Sequence, residues 1–247
     1  MNIHELIRPV KKQWRLIRED SDFERIREGY NQLHLQMPES AGPVYNPLFR
    51  SLDETKVPKN ARVLDAGCGS GIVSRELRKA GFSDITAFDI SDVNVEAVRP
   101  FAHRSYRSTC EDILEEAGTF DIVVIWGVIE HCLDIRRVLM EIHRVVKGGG
   151  RAYLMTDNAL WQTIVALKQP IVPASRKYKR LVQPVDADFS TREMDGLLAE
   201  AGFVRREMTG LGGLPIANGL MTKISGQTTE HWLFKHFCGR MIFQAWK

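Results

Sequence analysis

The sequence predicts an α/β fold: a mostly parallel sheet with helices packed on both of its faces. Three observations carry that prediction. Between residues 61 and 157, short β-rich runs alternate with patterns of helical period, the rhythm of parallel strands joined by crossover helices. The run Phe120 to Trp126 is apolar almost throughout, as a strand buried on both faces must be. A glycine-rich stretch, Asp65-Ala66-Gly67-Cys68-Gly69-Ser70-Gly71, joins a strand to a helix, where such a sheet makes its sharpest turn.

The elements follow in order. Residues 1–60 read as helical and then irregular. Ile3, Leu6, Ile7, Val10, Trp14 and Ile17 share one helical face, with Arg8, Lys11, Lys12, Arg15 and Arg18 around it. Phe23, Ile26, Tyr30 and Leu33 form a second such pattern. Pro38, Gly42, Pro43, Pro47 and Pro58 then interrupt regular structure. Arg62 to Asp65 reads as the first strand, and Ile72 to Ala80 as a helix stopped by Gly81. Ile85 to Asp89 is a strand, Val93 to Val98 a short helix, and Tyr106 to Cys110 a third strand. After Phe120 to Trp126 comes a helix, Ile135 to Val146, closed by Gly148-Gly149-Gly150, and then the strand Arg151 to Met155. Ala159 to Asp188 is basic and carries Pro170, Pro173 and Pro184. Ser190 opens a helix to Ala201, with Glu193 at capping-box spacing. Phe203 to Met208 and Arg240 to Trp246 read as the last strands, with a glycine-rich apolar stretch, Leu211 to Leu220, between them.

At 247 residues, 44% hydrophobic and 26% charged, the chain has the apolar material for one large domain. Its net charge of +3 does not call for a nucleic-acid partner. Cys68, Cys110, Cys132 and Cys238 are dispersed and form no C-x-x-C pair; reduced thiols, a cytoplasmic setting and no metal site are expected. No apolar run has the length of a signal-peptide core or a spanning helix.

Glycines let backbone N–H groups approach a ligand with no Cβ in the way. Two cofactor classes compete for such a turn. A dinucleotide loop wants G-x-G-x-x-G, and Ile72 stands where its third glycine belongs. Asp65, two residues before Gly67, suits a cofactor with a cationic amino group better than one with a diphosphate. S-adenosylmethionine has an ammonium and a sulfonium, and no phosphate. Asp89 ends the second strand, eighteen residues after Gly71. It can accept the hydroxyls of a ribose, or it can cap the following helix, a role Ser91 and Asp92 can also fill.

Val63 to Gly71, then Phe88-Asp89-Ile90-Ser91, Phe120-Asp121-Ile122-Val123-Val124 and Val128-Ile129-Glu130-His131, together resemble the class I S-adenosylmethionine-dependent methyltransferases. The resemblance covers residues 60–158 and, more loosely, 188–247. It is nearest the small-molecule branch that includes the ubiquinone- and menaquinone-pathway methyltransferases. It implies a Rossmann-like, seven-stranded, mostly parallel sheet with helices on both faces, added N-terminal helices and an inserted substrate cap. Residues 1–60 would be a helical lid or substrate segment. Residues 61–247 would be the methyltransferase domain, with the cap at about 158–189. Asp65, Gly67 and Gly69 would border the methionine part of the cofactor, with Cys68 and Gly71 in the same cofactor-binding turn. Asp89, with Ile90 beside it, would bind the ribose. Asp112 and Ile113 would meet the adenine, and Trp126 and Gly127 would lie near the methionine end or the substrate.

The implied reaction is methyl transfer to a small molecule, with oxygen preferred over nitrogen or carbon. A nicotinamide-dependent oxidoreductase and a non-catalytic cofactor-binding protein are the readings from other classes. In-line transfer needs an aligned nucleophile and, for a hydroxyl, a base to take its proton. His131 is the candidate, since its intrinsic pKa is near neutrality; Glu130 is the adjacent alternative, and a structural histidine is the competing reading. Trp14, Tyr30, Tyr45, Trp161 and the basic run Arg176-Lys177-Tyr178-Lys179-Arg180 are acceptor-side candidates. The basic run would attract an acidic acceptor or be a solvated helix face, and the aromatics would face the acceptor or be ordinary core. The N-terminal segment with Leu211 to Leu220 would admit a lipid-like acceptor. The basic amphipathic N-terminus would allow weak peripheral membrane contact.

Overall fold

The computed structural model describes residues 20–34, 43–160, 187–211 and 238–247. Seven strands form one sheet: β1 (Val63–Ala66), β2 (Ile85–Asp89), β3 (Arg104–Arg107), β4 (Phe120–Trp126), β5 (Val146–Asp157), β6 (Arg205–Leu211) and β7 (Arg240–Trp246). Their spatial order is β3-β2-β1-β4-β5-β7-β6. The first five strands run parallel, and β7 pairs antiparallel with both β5 and β6. The chain lays down β1, β2 and β3 outward in one direction, then returns to place β4 on the other side of β1. That reversal opens a crevice at the carboxyl ends of β1 and β4, where sheets of this kind bind ligands.

Six described helices accompany the sheet: α1 (Asp20–His34), α2 (Asn46–Glu54), α3 (Ile72–Lys79), α4 (Asp92–Val98), α5 (Ile135–Val145) and α6 (Thr191–Glu200). Alternate strand residues feed two cores. Leu64, Val123, Ile125 and Leu154 pack with Val138, Leu139 and Ile142 of α5 and Leu198 of α6. Val63, Ile122, Val124 and Tyr153 pack on the other face with Leu48 and Leu52 of α2 and Leu77 of α3. The fold is therefore the seven-stranded, mostly parallel, helix-covered sheet that the sequence predicts, and Phe120 to Trp126 is its central strand.

Several boundaries differ. Helix α2 falls where the prolines suggested irregular chain. Pro47 sits in its first turn, where the missing N–H has no intrahelical partner to lose. The third strand is Arg104–Arg107, not Tyr106 to Cys110: it is a half-exposed edge strand, and apolar patterning marks such an edge poorly. Gly148 to Gly150 belong to β5 rather than to a helix stop. A Cβ on Gly150 would lie 2.9 Å from the Asp121 carbonyl oxygen of β4, so this glycine permits close strand approach. The sixth strand begins two residues later than expected, because Gly202 and Phe203 close α6 through bonds to Ala199 O and Leu198 O. The pattern at residues 3–17, most of the cap with Trp161 and Arg176 to Arg180, and most of Leu211 to Leu220 lie outside the described residues. No described helix is long and apolar enough to cross a membrane.

Candidate active site

The glycine turn leaves the end of β1. Gly67, Gly69 and Gly71 all take positive φ, 70°, 51° and 77°, which side-chain-bearing residues rarely adopt. The N–H groups of Gly67 and Cys68 both donate to Phe88 O at 2.9 Å, which ties the turn to β2. A Cβ on Gly67 would stand 2.6 Å from a Val128 methyl, whereas one on Gly69 would meet nothing within 4 Å. Gly67 is thus packed, and Gly69 borders open space.

Asp65 is buried at the root of the turn. Its Oδ2 accepts from Ser74 N at 3.1 Å and from Ser74 Oγ at 2.6 Å, so it caps the first turn of α3. Burial pushes its pKa up from 3.8 to about 6, the Ser74 bonds oppose that rise, and the charge of Asp89 adds to it. Asp89, at the end of β2, accepts from Gly69 N at 2.9 Å, Ser91 N at 2.9 Å and Asn94 Nδ2 at 3.0 Å. Ser91 itself caps α4, accepting from Asn94 N. Asp89 therefore joins the glycine turn to the start of α4, and the cap is Ser91.

These groups line one cleft of about 1160 Å³, open mouth included. Of the residues singled out from sequence, Asp65, Gly67, Cys68, Gly69, Asp89, Ile90, Trp126, Gly127 and His131 line it. Gly71 lies at its back, where its would-be Cβ faces Val98. Asp112 is exposed and off the cleft, and Ile113 is buried in the core. The acid that reaches the lining after β3 is Glu111. Its Oε1 accepts from Leu133 N at 2.7 Å and Asp134 N at 3.3 Å. Two adjacent acids after an edge strand look alike in sequence; only the course of the chain chooses between them.

At the other end of the cleft, Trp126 ends β4 and Tyr45 lies over it, ring centroids 6.4 Å apart and nearly parallel. Burial, and then Asp65, push the Tyr45 phenol up. His131 closes a short 3-10 turn, Ile129–His131. Its ring lies 6.2 Å from that of Tyr30, which α1 contributes with Phe23 and Ile26. His131 Nε2 is 4.0 Å from Glu130 Oε1. Glu130 is buried and outside the lining. Tyr30 was an acceptor-side candidate from sequence; Phe23 and Ile26, which look like any helix's buried face there, join it in the cleft wall.

The four cysteines are free thiols. Three of them, Cys68, Cys110 and Cys132, line the cleft. Burial, then Asp89 and Asp65, hold the Cys68 thiol well above its ordinary pKa. A hydrogen bond with Cys110, then burial, does the same to Cys132. Both are protonated at neutral pH and are poor nucleophiles.

A methyltransferase domain family model matches residues 34–207. A ubiquinone biosynthesis O-methyltransferase of Chelativorans sp. (strain BNC1) is 30% identical over 166 residues, 61% of each chain. One of Rhizobium etli (strain CIAT 652) is 31% identical over 173 residues, covering 64% of this chain and 65% of the relative. The chain thus matches less than two thirds of these relatives' length. Among solved structures, a SAM-dependent methyltransferase of Thermotoga maritima, described as a possible histamine N-methyltransferase, superposes with a TM-score of 0.60. It is 18% identical and covers 91% of this chain and 98% of its own, a likeness of fold. With a sheet that switches direction at β1 and β4, a glycine turn at that switch and a family model over most of its length, the chain belongs to the methyltransferase domain family.

Proposed function

We propose that the chain is an S-adenosylmethionine-dependent methyltransferase acting on an oxygen of a small molecule. One observation carries the cofactor reading. The cleft at the glycine turn holds the carboxyls of Asp65, Asp89 and Glu111, and its described lining includes no lysine or arginine. A diphosphate would meet repulsion there, whereas a ligand with an ammonium and a sulfonium meets attraction. The open space at Gly69 fits the same ligand.

The cofactor supplies an electrophilic methyl group when bound. This chain's residues do the rest. Asp89 offers its carboxylate to the ribose hydroxyls, and Asp65 supplies negative charge beneath the methionine end. Glu111, rather than Asp112, serves the adenine side. Tyr45 and Trp126 exclude water beside the transferring group. His131 takes the proton of the acceptor hydroxyl, and the buried Glu130 favours the imidazolium that results. Residues 1–60 act as a lid and substrate segment over the 61–247 domain, a reading supported by the three α1 side chains in the cleft wall. The names of the similar proteins support oxygen as the accepting atom. The apolar wall of Phe23, Ile26, Tyr30 and Tyr45 supports an apolar or aromatic acceptor over an acidic one. An acceptor of that kind partitions into lipid, so weak membrane contact through residues 1–20 belongs to the same reading. Flotation with liposomes that is lost when residues 1–20 are deleted supports that contact, and no flotation of the full chain refutes it.

Calorimetry separates the cofactor classes. S-adenosylhomocysteine should bind and NAD should not; NAD binding without homocysteine-analogue binding overturns the assignment. A panel of phenols and catechols with radiolabelled methyl donor tests the chemistry. His131→Ala should lower turnover about a hundredfold and leave S-adenosylhomocysteine affinity unchanged. Full turnover in this variant at neutral pH removes His131 as the base.

A further inference from the structure

The cleft wall formed by Ser108 to Glu111 has little sheet to support it. It follows β3, a four-residue edge strand that is half exposed; after the bond from Ser108 N to Asp89 O of β2 at 3.1 Å, its backbone makes one isolated bridge, Thr109 with Asp112. The backbone of the next few residues is held instead by side chains of α5. Arg137 Nε donates to Glu111 O at 2.7 Å. Arg144 Nη2 donates to Ile113 O at 2.8 Å, and Arg144 Nη1 to Glu115 O at 2.6 Å. Glu141 Oε2 accepts from Ile113 N at 3.1 Å. Glu141 and Arg144 are themselves joined by two bonds of 2.7 Å.

Residues 137, 141 and 144 are spaced four and three apart, so they form one stripe along the helix. None of the three lines the cleft. Each bond to the segment has a charged partner, the stronger kind of hydrogen bond. Arg144 also locks Glu141 in its ionised form: the bond and charge of Arg144 hold the Glu141 carboxyl below its ordinary range. The stripe does for this segment what a neighbouring strand does for β1 or β4.

We propose that Arg137, Glu141 and Arg144 are positioning residues, which set cofactor affinity from outside the cleft by holding the 108–115 segment in place. The inference rests on the cofactor reading above. It makes α5 a second determinant of the binding site, reached through backbone rather than through contact with the ligand.

The test uses S-adenosylhomocysteine as the probe. Arg144→Ala should weaken its binding about tenfold, the effect of losing charged hydrogen bonds. Arg144→Lys keeps the charge but offers no planar fork, so its affinity should fall between the two. Arg136→Ala is the control. Arg136 lies on the same helix, but its partner is the exposed Glu200, and its removal should leave binding unchanged. Amide hydrogen exchange should quicken at residues 109–116 in Arg144→Ala and stay slow in β4, which separates a local release from general unfolding. Wild-type affinity in Arg144→Ala, or exchange that quickens throughout the sheet, overturns the positioning role alone. If the unsubstituted protein does not bind S-adenosylhomocysteine at all, the cofactor reading falls and the inference falls with it.

Discussion

Asp65 carries an acid into the centre of the molecule, and its position has a cost that can be measured. Its pKa in the folded chain is about 6, against 3.8 ordinarily. Between those values the folded state holds a proton that the unfolded state has lost. Stability therefore falls as pH rises from about 4 to about 6 and then stays lower, by about 3 kcal/mol for this group. Asp65→Asn keeps an oxygen for the Ser74 bonds and removes the charge. Thermal melting should find the variant level with the parent near pH 4 and more stable by several degrees at pH 8. Equal melting temperatures at pH 8 would exclude the buried charge as a source of strain. On the proposed role of Asp65, the same substitution should weaken S-adenosylhomocysteine binding, because it removes negative charge from the cleft lining. Stability given up for function is the usual bargain at a binding site. Asp65 and Asp89 were legible in the sequence because each stands at a strand end in a recognisable spacing, and His131 because it follows the central strand in the run Val128 to His131. Glu111 was not, because nothing in its neighbourhood marks which of two adjacent acids turns inward.

The glycine turn and the segment after β4 depend on each other. Gly67 meets Val128 so closely that a methyl group would overlap it, and its φ of 70° is unfavourable for any residue with a Cβ. The left-handed conformation alone should cost Gly67→Ala about 1–2 kcal/mol, and the overlap adds to that. Val128→Ala in the same chain should recover the overlap part and leave the backbone part. Urea titration of the three variants reads both, and a double variant no more stable than Gly67→Ala would show that Val128 is not the obstacle. Helix ends follow simpler rules. Ser190 and Glu193 make the reciprocal capping box their spacing predicted. Gly81 follows the last turn of α3, with Phe82 N bonded to Leu77 O, where the sequence predicts a stop. Local chemistry decides such ends, so sequence reads them. It misreads β3, whose place depends on a neighbour rather than on its own residues.

Taken whole, the molecule is a sheet whose strand order reverses between β1 and β4, with a cleft at the reversal and side chains of α1 in its wall. Ligand that binds only this arrangement should stabilise it. S-adenosylhomocysteine at a hundred times its dissociation constant should add about 2.7 kcal/mol to the unfolding free energy. A melting temperature unchanged by saturating ligand would contradict binding to the folded cleft. The sequence by itself determined the alternation of strands and helices, the central place of Phe120 to Trp126, the sharp turn at Gly67 to Gly71 and the acids at the ends of β1 and β2. Those features rest on periodicity, glycine geometry and short spacings, all of which act over a few residues. Only the tertiary structure decided that Glu111 rather than Asp112 reaches the cleft. It alone brought Tyr45 and Tyr30 to Trp126 and His131, and it alone hung the 108–115 segment from α5. These contacts join residues far apart in the chain, and their geometry exists only once the sheet has brought its strand ends together.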